Sequence, residues 1–287
     1  MKNKGLTITM VIETESANYG EGYNNITTLK KLTRGDGNTY TYISRQALRY
    51  NIVEQMQCNN TPVDAIGTGE KKVIQFHPDC TIENYPEIDL FGYMKTKGGG
   101  AANTRSAVVR LSNAISLEEF EADMDFLTNM GLAKRIDANN SIAQSELHKS
   151  YYAYTVTIDL DKVGIDKDID IGEQEKKKRV KELLKTIQFL YRDIRGRREN
   201  LAPIFIIGGI YERKNPFFEN RIQIKNNKLN LDMLKEIIES DDDIKANTKV
   251  GYTNGKFENN EKVKEELNTI KVNEVFDEII KKVEEEC

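Results

Sequence analysis

No apolar run in this 287-residue chain approaches the about eighteen residues that a membrane-spanning helix needs. The longest candidate, LAPIFIIGGI at 201–210, is short and is broken by proline and glycine. The N-terminal MKNKGLTITMVIET begins with charge but turns polar before an apolar signal region develops, so a cytoplasmic protein with no membrane partner is expected. Cysteine is scarce. Cys58, Cys80 and Cys287 have no metal-ligand spacing and cannot all pair within one chain, which points to a reducing compartment. Histidine is scarcer, with His77 and His148 alone, and Cys58, His77 and Cys80 lack the close four-ligand spacing that zinc favours. No metal and no cofactor is expected.

An overall excess of positive charge is also missing: the net charge is −4. Residues 1–231 nevertheless carry 33 Lys and Arg against 30 Asp and Glu, whereas residues 232–287 carry 9 against 16. The acidity belongs to the C-terminal part. The body can still present a basic groove to a polyanion, because binding follows local rather than total charge. Length and composition describe a globular chain long enough for one large domain or two modest ones and able to bury a substantial core.

What is present is patterning. GLTITMVIET at 5–14 alternates Leu6, Ile8, Met10 and Ile12 against Thr7, Thr9, Val11 and Glu13, a half-buried strand. A long polar connection follows, then a helix over about 42–57. Short strands are expected at 73–76 and 90–94 and a longer one over 104–116. An acidic helix is expected near 117–130. The segment 148–164 alternates Tyr152, Tyr154, Val156, Ile158 and Leu160. An amphipathic helix at 173–195 has Val180, Leu183, Leu184, Ile187, Leu190, Tyr191 and Ile194 on one stripe. Strands flank a turn at 208–218, and helices close the chain at 231–240 and 273–286, the latter with Asn273 as its cap. The order strand, helix, strand, strand, helix, strand predicts an α+β fold of ferredoxin-like βαββαβ type.

The stretch RGDGNTYTYISRQALRY at 34–50 stands apart. On the helix wheel Arg45, Arg49, Ile52 and Met56 share a stripe, and Ile43, Ala47 and Tyr50 form a second. Buried guanidinium groups need an anionic partner or water. With Ser44, Gln46 and a glycine-bearing turn beside a helix N-terminus, phosphate oxygens fit; internal pairing with Asp36 or Glu54 is the alternative. Three further stretches have two readings each. KTKGGGAANTR at 95–105 is either a phosphate-wrapping loop, flanked by Lys95, Lys97 and Arg105, or a plain flexible loop. GGIYERKNPFF at 208–218 either stacks aromatic rings on bases or packs as a capped hairpin on the core. EKKKR at 175–179 reads as a solvated helix face.

The succession GLTITMVIETES with KKLTRGDGNTYTYISRQALRY, followed by GGGAANTRSAVVRLSNAISL, resembles the DevR branch of the Cas-seven proteins. These are backbone subunits of the type I-B CRISPR interference complex, Cascade, within the RAMP superfamily. The resemblance is densest over 5–50 and 91–116, and ISRQALR is its most specific part. It implies a modified ferredoxin-like RRM palm (βαββαβ) in one domain over 1–287, with a finger or web inserted at about 58–104. A thumb loop at about 208–220 and an acidic helical C-terminus at about 231–287 complete it.

By the same resemblance the chain would bind a guide crRNA in antiviral defence, stack with copies of itself in a helical filament, and present the guide for pairing with target DNA. Other Cascade subunits, of the Cas-five and Cas-eight types, would be partners. Ser44, Arg45, Gln46 and Arg49 would hold guide phosphates, supported by Asn18, Arg34, Lys97 and Arg105, with Tyr211, Arg213 and Phe217 in the thumb. No catalytic role follows from it. Two rival functions are a metal-dependent ribonuclease of the type III backbone kind using Asp36, and a filament or interaction protein that binds no nucleic acid. Asp36 is expected to fix its turn by bonding nearby backbone amides.

Overall fold

The computed structural model describes residues 4–15, 18–67, 72–96 and 102–286. Lys97 and the triple glycine at 98–100 lie outside the described residues.

The alternating strand Gly5–Thr14 lies inside an eight-stranded sheet. It pairs along its whole length with Ser150–Asp159, Gly5 opposite Asp159 and Thr14 opposite Ser150, and on its other side with Phe205–Tyr211. Beyond Phe205–Tyr211 comes an edge strand, Lys249–Tyr252. Beyond Ser150–Asp159 come Ala114–Ser116, Thr39–Ile43 and Lys31–Thr33, and Val109–Leu111 also pairs with Ser150–Asp159. All these pairings are antiparallel.

Alternation decides the two faces. Leu6, Ile8, Met10 and Ile12, with Tyr152, Val156 and Ile158, are buried against the helices Arg45–Gln55, Glu173–Gln188 and Val272–Glu286. Each fully buried aliphatic side chain there contributes about 1.5–3 kcal/mol. On the opposite face Val11, Phe205, Ile207 and Tyr211 pack with Phe218, Leu234, Val250, Phe257 and Val263. The acidic C-terminal residues are therefore part of the body: they supply the edge strand and a core helix carrying Val275, Phe276, Ile279 and Val283.

Several boundaries differ from the sequence reading. The first helix is Arg45–Gln55 rather than 42–57, because Thr39–Ile43 is claimed by the sheet; Tyr50 is exposed, not part of an apolar strip. The helix expected at 173–195 ends at Gln188, and Tyr191–Ile194 with Arg197–Asn200 form a hairpin. It turns on Arg195 (φ 49°) and Gly196 (φ 78°), two left-handed residues that suit a tight hairpin and break a helix. The 117–130 region is a strand, Asp123–Thr128, plus one turn, Met130–Ala133; pairing with Ile142–Leu147 overrides its helix-compatible acidity. Leu90 and Phe91 end a helix, Pro86–Phe91, and of 90–94 only Tyr93 and Met94 are strand, within Tyr93–Lys95. The strand read over 104–116 is three pieces, Asn103–Arg105, Val109–Leu111 and Ala114–Ser116. Asn273 sits within the last helix, which begins at Val272, and accepts a bond from Gln188.

A buried carboxylate joins the insertion to the body. Asp89 is fully buried; its oxygens accept from Arg105 at 2.6 Å, Arg179 at 2.9 Å and the Gly164 amide at 2.9 and 3.1 Å. Arg179 also donates to the Ile82 and Glu83 carbonyls, so the EKKKR stretch is not a solvated face at that residue. Lys176 of the same stretch is buried and bonds Asp170 and Glu173.

Two extensions leave opposite ends of the central sheet. At the Thr14–Ser150 end an arm of Asp123–Thr128, Met130–Ala133 and Ile142–Leu147 joins Ile26–Leu29 and Tyr19–Tyr23 in a four-stranded sheet. At the Gly5–Asp159 end stand the hairpins Val63–Ile66 with Val73–Phe76 and Tyr93–Lys95 with Asn103–Arg105, tied in by the Val108 amide on the Leu90 carbonyl and the Asp159 amide on the Val108 carbonyl.

Candidate nucleic-acid interface

The helix start at Ser44 is closed by the protein itself. Ser44 is extended (ψ 147°), its hydroxyl accepts from the Ala47 amide at 3.3 Å and donates to Asn18 Oδ1 at 2.6 Å. Asn18 Oδ1 also accepts from the Ser44 amide at 3.2 Å, and Asn113 Oδ1 takes the Arg45 amide at 2.9 Å. Ser44 and Asn18 thus act as cap and cap support, and the donors that an anion would need at this helix end are mostly in use. What remains open is side-chain chemistry: Arg45 and Gln46 are exposed.

The two arginines one turn apart go separate ways. Arg49 reaches Glu87 at 3.3 Å and lies over the Phe91 ring, so its internal partner is Glu87 and neither Asp36 nor Glu54. Arg45 turns to a cleft of about 570 Å³ on the sheet face that the helices leave uncovered. Arg34 joins it there, its guanidinium 4.2 Å from the Tyr40 ring centroid. Among the described residues neither Arg34 nor Arg45 makes an ion pair. Leu111, Ile115, Leu117, Thr9 and Thr155 line the cleft, and Phe218–Gln223 contributes to its lining.

The turn that carries Arg34 is held by Asp36. Its carboxylate accepts from the Tyr40 hydroxyl at 2.7 Å and the Asn38 amide at 2.9 Å. These two bonds hold the Asp36 carboxyl below its ordinary range and push the Tyr40 phenol up. Gly37 (φ 84°) takes the left-handed position and donates to the Arg34 carbonyl.

Other expected contacts are spent internally. Arg105 is 7% exposed, bonded to Asp89, Ile165 and Lys162. It is a structural residue, placed there because a buried carboxylate needs cationic partners. Lys95 is buried, donates to the Cys80 carbonyl, and burial lowers its amine pKa. Lys97 lies outside the described residues. The expected thumb is not a protrusion. Tyr211 is fully buried, its hydroxyl 2.9 Å from that of Thr248, and burial pushes the phenol up. Phe217 stands edge-on to it at 5.1 Å, and Arg213 pairs with Asp241 at 3.0 Å. The 208–218 turn is packed on the core. Its glycines are packing glycines: a Cβ on Gly208 would lie 2.1 Å from the Thr7 carbonyl oxygen.

The sequence reading missed Asn113, Asn220 and Gln223 in the cleft and the apolar arm. Asn113 had a signal, the polar break SN between two strand pieces. The arm exposes Phe126, Leu127, Leu132 and Ile136, the last 79% exposed, and the opposite extension exposes Val63, Val73, Ile74 and Met94. No group of three His, Cys, Asp or Glu that could hold a metal occurs among the described residues. Cys58 and Cys80 are buried, and burial pushes the Cys58 thiol up to about 11. No helix among the described residues is long and apolar enough to cross a membrane.

Comparison with known proteins agrees with the resemblance read in the sequence. A curated "CRISPR-associated protein Cas7/Cst2/DevR" from Myxococcus xanthus (strain DK1622) is 31% identical over 162 residues, 50% of this chain and 53% of that protein. The match therefore spans about half the length of that relative. Among solved structures, a chain of a "CRISPR RNA-guided surveillance complex, pre-nicking" has a TM-score of 0.65 at 10% identity, covering 97% of this chain and 100% of the other. A chain of a second "CRISPR RNA-guided surveillance complex" has a TM-score of 0.58 at 12% identity, covering 96% and 98%. These likenesses show a shared α+β fold. The DevR family profile, described as "CRISPR-associated negative auto-regulator DevR/Csa2", matches residues 6–231, and the chain belongs to that family.

Proposed function

We propose that the chain is a non-catalytic, guide-RNA-binding backbone subunit of a type I-B CRISPR surveillance complex. The observation that carries this reading is the cleft, where Arg34 and Arg45 line an uncovered part of the sheet and, among the described residues, make no ion pair. Phosphates are the ligand such arginines suit. Contacts of that kind grip a strand without reading it, and target DNA reads the guide by pairing. Asp36 serves the turn in this reading, since its carboxylate is already bonded to Asn38 and Tyr40.

The palm in this reading is Phe205–Tyr211, Gly5–Thr14, Ser150–Asp159 and the 109–116 pieces, in that spatial order. The helices Arg45–Gln55 and Glu173–Gln188 cover one face, as a βαββαβ unit requires. The finger is the 58–104 insertion. The protruding thumb is the 123–147 arm, because the 208–220 segment is occupied in the core. Arm and finger carry different apolar patches at opposite ends of the sheet. Two unlike patches at two poles suit head-to-tail stacking of copies, an arrangement that grows instead of closing. Subunits of the Cas-five and Cas-eight types would then cap such a stack.

The direct test is what elutes with the purified protein. Short RNA is expected, visible as a raised 260/280 nm absorbance ratio that falls on ribonuclease treatment. Protein free of nucleic acid that also fails to bind added single-stranded RNA at low salt would remove the reading. For the stacking interface, Leu132→Asp with Ile136→Asp is expected to shorten assemblies on size-exclusion chromatography. Thermal stability should move by no more than about 0.5 kcal/mol, since both side chains are exposed. Unchanged assembly size would take the arm out of the interface.

A further inference from the structure

We infer that the groove between the helices Arg45–Gln55 and Glu173–Gln188 docks a basic protein segment, whose arginine or lysine side chains lie over Tyr50 and Phe189 and pair with Glu54 and Glu182.

Among the described residues, the large exposed apolar side chains sit on the arm with its neighbouring strands and on the finger, with three exceptions: Tyr50, Ile165 and Phe189. Two of the three converge. Tyr50 is 65% exposed and Phe189 59%, and both line one cleft of about 510 Å³. Helical spacing sets an acid on the side of each ring. Tyr50 and Glu54 are one turn apart on the first helix, and Glu182, Thr186 and Phe189 follow one stripe of the second to its C-cap. Gln55 ties the first helix to the Tyr191–Asn200 hairpin at the end of the groove. It donates to the Tyr191 carbonyl at 2.5 Å and accepts from the Tyr191 amide at 3.3 Å.

Neither carboxylate is neutralised. Among the described residues Glu54 and Glu182 make no ion pair, and no cation lies over the Tyr50 or Phe189 ring; Glu54 accepts from the Asn59 side chain at 2.6 Å. Glu182 faces the first helix, since burial and then the charges of Glu87 and Glu182 push up the Cys58 thiol at that helix's end. The rim of the cleft holds a filled version of the same arrangement. Arg198 lies 4.3 Å from the Tyr191 ring centroid and donates to Asp193 at 2.8 and 2.9 Å. One aromatic face and one carboxylate there hold one guanidinium. Tyr50 with Glu54, and Phe189 with Glu182, present the same two groups without the cation.

This chemistry selects the occupant. Phosphates would be repelled by the two carboxylates, and a wholly apolar partner would bury them unpaired. A basic segment satisfies ring and carboxylate together, and aromatic–arginine contacts are where interfaces concentrate their energy. The groove lies on the helix-covered face of the sheet, away from the Arg34–Arg45 cleft, so the inference stands apart from the nucleic-acid reading.

The test uses a labelled amphipathic peptide of leucine and arginine, with a leucine–glutamate peptide of equal length as control, by fluorescence anisotropy on RNA-stripped protein. The arginine peptide alone is expected to bind. Tyr50→Ala with Phe189→Ala should weaken it about tenfold or more. Glu54→Gln with Glu182→Gln should weaken it and flatten its salt dependence. Asp232→Asn with Glu236→Gln, exposed acids elsewhere, should leave it unchanged. All six side chains are exposed, so thermal melts should match the wild type. No binding by the wild type, or unchanged binding by either groove variant, overturns the inference. An equal loss in the Asp232 and Glu236 variant does so too, since attraction would then follow overall charge.

Discussion

Asp89→Asn is expected to destabilise the protein by about 3–5 kcal/mol, the penalty for removing one partner of a buried ion cluster. The substitution keeps the shape of the side chain and removes its charge. Arg179, 1% exposed, would then keep only Glu175 at 3.0 Å as counter-ion, and Arg105, 7% exposed, only Asp166 at 3.9 Å. The new NH2 group would also face donors on every side, since Arg105, Arg179 and the Gly164 amide all point at this carboxylate. Urea denaturation should show a lowered midpoint, and a thermal melt a shift on the order of 10 °C. A loss under about 1 kcal/mol would mean that the cluster is not what joins the 58–104 insertion to the body.

Arg34→Ala combined with Arg45→Ala should leave stability almost unchanged and weaken single-stranded RNA binding by about tenfold or more, the scale of losing two charge-assisted hydrogen bonds. The slope of log affinity against log salt should fall by about 1.4, at about 0.7 per phosphate released from a single strand. The informative contrast is with the other two arginines named from the sequence. Arg49→Ala should leave the slope unchanged, because that side chain is paired with Glu87 and packed on Phe91. Arg105→Ala should reduce stability through the Asp89 cluster and not the slope. A slope that drops equally for Arg49→Ala would refute the assignment of the cleft.

These contrasts mark the limit of reading a motif by residue type. Arg45 and Arg49 are equivalent in the sequence: same chemistry, same helix stripe, one turn apart. The fold separates them, since Glu87 comes from a helix 38 residues further on, whereas Arg45 makes no ion pair among the described residues. Tyr211, Phe217 and Arg213 looked like a stacking loop for the same reason. Aromatic and basic residues around paired glycines suit either a protruding turn or a close-packed one. Only the approach of Thr7 to Gly208 distinguishes them.

What the sequence determined by itself is what depends on near neighbours. Alternation in Gly5–Thr14 and Ser150–Asp159 predicted both strands and one buried face of each, because a strand's side chains must point to opposite sides whatever it pairs with; that Thr7, Thr9 and Val11, on the face read as open, are buried too came from packing on that side. The three-four spacing of Val180, Leu183, Leu184 and Ile187 likewise specified a core-facing helix. Tertiary structure decided the rest: where the Glu173–Gln188 helix stops, that 123–128 is a strand, and which charged groups are free. Asp89 meets Arg105 across 16 residues, Gly164 across 75 and Arg179 across 90. A local pattern carries no record of such partners, and a buried charge is stable only where they meet it.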